Sequence, residues 1–230
     1  MANYRFSVLA EAVSSVSARE NMSAHVSTTN SKLGCIPSFN LLPGVTCSGE
    51  SCSHCLREGC YAVKNAFRCG YNVDKNSTLS AWAENTFLAR YRLSDLLYQM
   101  LREWLLAHRM TVKLFRIHSS GDFFSFEYAE MWYKLAEEFS EIRFLAFTKQ
   151  WDIVRAVPFY KLANFSLVLS GWTGIKIPED LRQLYPCAWC DDGTENRIPD
   201  DAMLCPGLCE SCGMCWYLKE IGRDTKFIKH

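Results

Sequence analysis

Twelve cysteines fall into two groups with a long cysteine-free stretch between them. Cys35, Cys47, Cys52, Cys55, Cys60 and Cys69 lie toward the N-terminus, and Cys187, Cys190, Cys205, Cys209, Cys212 and Cys215 toward the C-terminus. A disulfide framework would spread its anchors through the fold. Spacings of two to four residues are what a metal requires, because several thiolates must converge on one centre. Met1 to Val13 holds one early Arg and a short apolar stretch broken by Glu11, which is a poor secretion signal. The cysteines therefore read as reduced metal ligands in a cytoplasmic protein.

Composition narrows the classes further. With 25 Lys plus Arg against 25 Asp plus Glu, the net charge is 0. The basic excess of a protein that coats duplex nucleic acid is missing. Hydrophobic residues make up 49% and charged residues 22%, which excludes an intrinsically disordered chain. A chain of 230 residues hides roughly 70% of its unfolded surface, so it needs no covalent staples to form a core. No apolar run approaches the roughly 18 residues that span a bilayer, and no membrane association is expected.

The pattern divides the chain into an N-terminal arm or edge strand (1–30), a central α/β region that includes the first cysteine loop (31–180), and a cysteine-rich C-terminal region (181–230). Residues 31–76 are Gly-, Pro- and Ser-containing loop organised by ligands. Residues 77–109 carry helical spacing in Trp82, Phe87, Leu88 and Tyr91. Ser94-Asp95 then caps a second helix with Leu97, Leu101, Trp104 and Leu105 on one face. Strands are expected at Thr111 to His118, Ile142 to Thr148 and Phe165 to Gly171. Ser125 is the expected N-cap of the helix after the first strand, and a short helix follows Pro178. Alternating strands and helices predict βαβ units and a parallel sheet.

Cys47-x4-Cys52-x2-Cys55-x4-Cys60 offers four thiolates from one loop. Soft thiolate sulfur selects zinc, copper(I) or iron–sulfur clusters, and the irregular spacing without paired knuckles favours an iron–sulfur cluster over zinc. His54 is a flanking polar residue. Cys35 and Cys69 read as small buried apolar residues. In the second group, Cys205-x3-Cys209-x2-Cys212-x2-Cys215 reverses the bacterial ferredoxin spacing. Zinc has a rival claim there, because Cys187-x2-Cys190-x18-Cys209-x2-Cys212 fits two knuckles. Spacing does not choose which four of the six ligate.

Arg116-Ile117-His118-Ser119-Ser120-Gly121-Asp122-Phe123 lies where a strand hands over to a helix. In parallel sheets, ligands bind at the carboxyl ends of strands. Arg116, His118 and Asp122 are the candidate catalytic residues there: His and Asp as proton carriers, Arg as a clamp for a carboxylate or phosphate. Thr148-Lys149 and Ser170-Gly171-Trp172 end the next two strands on the same side. The rival reading of the loop is structural: Gly121 makes the turn and Asp122 bonds the loop backbone.

Asn30-Ser31-Lys32-Leu33-Gly34, the loop ending Cys60-Tyr61-Ala62, Arg116-x-His118-x-Ser120-Gly121-Asp122-Phe123, Phe147-Thr148-Lys149 and the closing Cys215-Trp216 occur in an order similar to the gene product 88 family of bacteriophages and mobile elements. More distantly, a cysteine loop before strand–helix repeats resembles radical S-adenosylmethionine proteins. That resemblance implies a partial, open β/α barrel with a cysteine-rich metal-binding N-terminal loop and a C-terminal extension. It also implies one or two 4Fe-4S clusters and S-adenosylmethionine as a cofactor, with Ser120, Gly121 and Lys149 beside it. The family's Cys-x3-Cys-x2-Cys occurs here only as Cys205, Cys209 and Cys212, and Ser120-Gly121-Asp122 stands where Gly-Gly-Glu would. The resulting expectation is a phage-type iron–sulfur protein in the cytoplasm of an infected or element-carrying bacterial host, acting on an unknown substrate as a radical enzyme at a cluster held by the N-terminal cysteine loop. The rival is a zinc- or cluster-stabilised module, without catalysis, that binds nucleic acid or a host protein.

Overall fold

The computed structural model describes residues 2–47 and 60–228. Cys52, His54 and Cys55 lie outside the described residues. Strands β1 (Val26–Ser27), β2 (Ser38–Phe39), β3 (Leu114–Ile117), β4 (Arg143–Thr148), β5 (Phe165–Gly171), β6 (Cys187–Asp191), β7 (Met203–Leu204) and β8 (Thr225–Ile228) form one sheet. Their order is β1-β2-β3-β4-β5-β6-β8-β7. β1 is antiparallel to β2, and every other neighbouring pair is parallel. From β2 to β6 the strands lie side by side in chain order. Of the expected open barrel, the structure carries the coarser form: a mixed α/β fold on a mostly parallel, unclosed sheet.

Strand alternation explains how the two faces are covered. Phe115, Ile117, Phe144, Ala146, Phe165, Leu167, Leu169, Cys187 and Trp189 point to one face. There they meet α3 (Ser77–Tyr91), α4 (Tyr98–His108), α5 (Phe126–Glu138), α6 (Trp151–Ala156) and α7 (Glu179–Arg182). Leu145, Val168 and Ala188 point to the other face. They meet Leu33, Ile36, Trp216 and Leu218 instead. The central strands are thus buried on both sides, which is why β5 reads as a continuous apolar run. Ser125 caps α5 as expected, accepting the Tyr128 N–H at 3.2 Å.

Several segments differ from the sequence reading. Residues expected as an arm or edge strand form helix α1 (Ala2–Val16), and only β1 is an edge strand. Leu9, Ala12, Val13 and Val16 recur at helical spacing and bury against Leu79 and Ala83 of α3. The serines between them hide that period. Ser94-Asp95 does not open a helix: both lie inside a π-helical turn, Leu93–Leu97, through which α3 runs on into α4. Cys35 and Cys69, expected to be buried, are both exposed. Cys35 follows Gly34 (φ 60°), whose turn throws it outward, and Cys69 stands in the turn after α2 (Tyr61–Ala66). Residues 187–191 are strand rather than ligand loop. The chain end returns as β8, pinned by Asp224, which accepts from the Cys187 N–H and the Trp189 indole N–H at 2.8 Å each.

Candidate metal centre

The C-terminal cysteines are held by their backbone. After β7, the Cys205 N–H donates to the Lys226 carbonyl at 2.7 Å. Helix α8 (Cys209–Cys212) begins with the Cys209 N–H on the Lys32 carbonyl at 2.8 Å. It ends at Gly213, whose φ of 61° makes the left-handed cap. The chain then turns through Met214–Tyr217, where the buried Trp216 indole N–H reaches the Phe115 carbonyl at 3.1 Å. The Ser166 hydroxyl donates to the Cys215 carbonyl at 2.8 Å. These anchors bring Cys205, Cys209, Cys212 and Cys215 to the walls of one narrow pocket, with Leu208 and Trp216 between them. All four are partly buried.

The Asn30–Gly34 turn is what α8 docks on. The Asn30 side chain accepts the Lys32 and Leu33 N–H groups at 2.8 and 3.2 Å. Glu210 packs on Gly34, and its carboxylate accepts the Cys35 N–H at 3.1 Å. The partnership between this N-terminal turn and the last cysteine group was not visible in the sequence, because no local pattern links positions so far apart.

Burial acts on two of these thiols. Burial pushes Cys215 up to about 12 and raises Cys209. Arg116 opposes both shifts, and Lys32 opposes that of Cys209. Cysteine thiolates are soft donors of the kind that thiophilic metals take, and such a metal would replace the protons that burial favours. Among the described residues, no three Cys, His, Asp or Glu side chains are arranged to hold a single ion. A tetrahedral zinc would need sulfurs about 3.8 Å apart, from Zn–S bonds of about 2.3 Å. A four-iron cluster takes each thiolate on a different iron, so its ligands stand farther apart.

Cys187 and Cys190 do not line this pocket. They lie three apart on β6, so they point to opposite faces. Cys187 is pushed up to about 12 by burial, and its charged neighbours are Arg182, Asp224 and Arg197. A four-cysteine zinc site built from Cys187, Cys190, Cys209 and Cys212 does not fit this strand geometry.

In the first group, the Gly44 N–H lies 3.5 Å from the Cys47 sulfur. Cys60 precedes α2, and burial raises its thiol against the N–H groups of Val63 and Ala62. Cys47 and Lys149 are close enough to add their charges to Cys60. The Tyr61 hydroxyl donates to the Ser119 carbonyl at 2.5 Å. Cys60 and Tyr61 therefore sit near the carboxyl ends of β3 and β4.

The strand-end loop is tightly bonded. Gly121 has a φ of 86°, and a Cβ there would lie 2.7 Å from the Leu41 Cβ and 2.8 Å from the Thr46 hydroxyl oxygen. The Ser120 hydroxyl donates to the Leu41 carbonyl at 2.8 Å. Asp122 is buried and accepts the Phe123 N–H at 2.8 Å and the Lys149 N–H at 3.0 Å, which ties β3 to β4. Burial raises its carboxyl against these bonds and that of the Thr148 hydroxyl. His118 also has a positive φ, 61°, and its Nε2 lies 2.7 Å from the Tyr128 hydroxyl. Burial, with Arg116 nearby, lowers it to about 3. It stays neutral in this cage and packs edge-on to Phe123. Lys149 stands over the Trp172 ring at 5.3 Å. Arg116 points to the opposite face from His118, toward the C-terminal cysteines. The expected trio does not share one pocket.

A family model described as Gene product 88 matches residues 14–186. The chain belongs to the gene product 88 family. A 59-residue stretch is 41% identical to the Gene 88 protein of Mycobacterium phage D29, covering 26% of this chain and 25% of that protein. The match thus spans about a quarter of either gene product 88 chain. No solved structure matches. Neither match is to a radical S-adenosylmethionine protein. The family match includes the first cysteine loop and the strand-end loop and stops before Cys187. No helix among the described residues is long and apolar enough to cross a membrane.

Proposed function

We propose that this gene product 88 chain is an iron–sulfur protein whose Cys205, Cys209, Cys212 and Cys215 hold a four-iron cluster against the inner face of the sheet. The observation that carries the reading is the convergence of these four cysteines on one pocket, beside Arg116 and Lys32. A cluster supplies one-electron chemistry. The chain's part is to present four thiolates, exclude water on one side with the buried Trp216, and place positive charge nearby.

The chain-order run of parallel strands from β2 to β6 supports the open-barrel reading. Cys47 and Cys60 beside the strand ends support a second, reactive cysteine site at Cys47, Cys52, Cys55 and Cys60. In that reading the site has enzymatic work to do. Lys149 and the loop 119–122 would border a substrate or S-adenosylmethionine there.

Anaerobic purification from cells with ample iron and sulfur tests the proposal. Iron and acid-labile sulfide in equal amounts, with broad absorption near 400 nm, are expected. Stoichiometric zinc without sulfide would overturn it.

A further inference from the structure

A groove of about 540 Å³ lies where the main core meets the smaller cluster built by α1 and α3. Small-molecule sites fall in the range of about 300–1,000 Å³ and favour such seams. Met22, Leu96 and Met100 pack on the main core and Phe87 on the smaller cluster, and all four stay partly exposed in the groove. Flexible thioethers beside an aromatic ring adapt to apolar bodies of varied shape.

The backbone of one wall is irregular. Arg92 leaves α3 at φ −136° and ψ 30°, and its carbonyl accepts the N–H groups of both Leu96 and Leu97, at 3.1 and 3.0 Å. That opens the π-helical turn, a departure from α-helix that recurs at functional sites. The exposed Arg92 side chain lines the groove as well. Two further charged side chains share the walls, Arg19 and Glu20. Arg19 is committed inside the protein: it pairs with Glu84, with Asp74 at 2.8 Å, and bonds the Ser80 hydroxyl at 2.7 Å. No ion pair among the described residues includes Arg92 or Glu20. A free guanidinium beside an apolar floor matches a ligand with an acid group on an apolar body, because the planar fork takes a carboxylate through two hydrogen bonds.

We propose that this groove binds a small amphiphilic monoanion, its acid group on Arg92 and its apolar body on Met22, Phe87, Leu96 and Met100. Glu20 repels a second negative charge, which favours one acid group over two. The site needs no metal and stands apart from the cysteine chemistry.

The probe is decanoate below its micelle concentration, with decyltrimethylammonium as the cation of the same tail. Binding is read near neutral pH on protein labelled at the methionine methyl carbons. Met22→Leu and Met100→Leu assign two of the seven methionine signals. Decanoate should move those two signals in a saturable way, and the cation should bind more weakly. Arg92→Gln alters an exposed side chain and leaves the main-chain turn in place, so it should fold and bind decanoate about five- to tenfold more weakly. Glu20→Gln should bind it about two- to threefold more tightly. Unmoved Met22 and Met100 signals, equal binding of the cation, or wild-type affinity in Arg92→Gln would each overturn the site. Affinity at or below wild type in Glu20→Gln would overturn the preference for a single acid group.

Discussion

Gly34→Ala probes the docking of the N-terminal turn on helix α8. Gly34 has a φ of 60°, where an alanine costs about 1–2 kcal/mol in backbone conformation alone. The new Cβ would also fall 1.9 Å from Glu210 Oε2, 2.3 Å from its Cδ and 2.7 Å from its Cβ. The carboxylate can swing away, giving up its bond to the Cys35 N–H. Because Glu210 is exposed, water replaces much of that bond, so its loss costs about 1 kcal/mol. The contact between the two Cβ atoms cannot be relieved by rotation, so α8 itself must shift, carrying Cys209 and Cys212. The total is about 2–4 kcal/mol. Denaturant unfolding of wild type, Gly34→Ala, Glu210→Gly and the double variant measures it. With Glu210→Gly as background, Gly34→Ala should cost only the conformational 1–2 kcal/mol, and iron retention should recover in parallel. An equal cost in both backgrounds would refute the contact as the cause.

Other outcomes follow from the strand-end loop. His118 is held at about 3, below its ordinary 6.5, so the unfolded chain binds the proton first as pH falls. Stability is complete above pH 6.5 and is lost toward pH 3, by up to about 5 kcal/mol. Between pH 6.5 and 5, above the carboxylate range, wild type should lose stability on acidification while His118→Gln stays flat, as read by pH-dependent urea unfolding. Asp122→Asn should cost about 1–3 kcal/mol, because an amide cannot accept from both Phe123 and Lys149 with the same two atoms. The thermal midpoint reads this, and an unchanged midpoint would argue against Asp122 as the tie between β3 and β4. Cys187→Ser should leave iron content unchanged in elemental analysis, because Cys187 faces the helical layer.

The central strands and α5 were legible because their apolar periods are strong and their ends carry local signals: Ser125 as a cap, and Phe165 to Gly171 as an unbroken apolar run. Helix α1 was obscured by serines between its buried positions. Strand β6 was obscured because Cys187 and Cys190 have the spacing of a knuckle, and only pairing with β5 and β8 shows that they face apart. That Cys205, Cys209, Cys212 and Cys215 lie close together follows from their spacing, but spacing did not single out these four among the six. Their surroundings were not legible in the sequence. Lys32 meets Cys209 and Cys35 meets Glu210 across most of the chain, and Arg116 is turned to that face by strand parity rather than by any motif. The sequence grouped Arg116, His118 and Asp122 by proximity. The positive φ of His118 and the Gly121 turn send the three to different surroundings.

The central claim is that Cys205, Cys209, Cys212 and Cys215 hold an iron–sulfur cluster. Iron and sulfide per chain, measured anaerobically, test it most directly when wild type is compared with a variant carrying serine at all four positions and a second carrying serine at Cys47, Cys52, Cys55 and Cys60. The C-terminal variant should lose four irons and four sulfides relative to wild type, in keeping with a four-iron cluster, while the N-terminal variant keeps that complement. Wild-type and C-terminal-variant proteins with the same iron and sulfide content would contradict the claim.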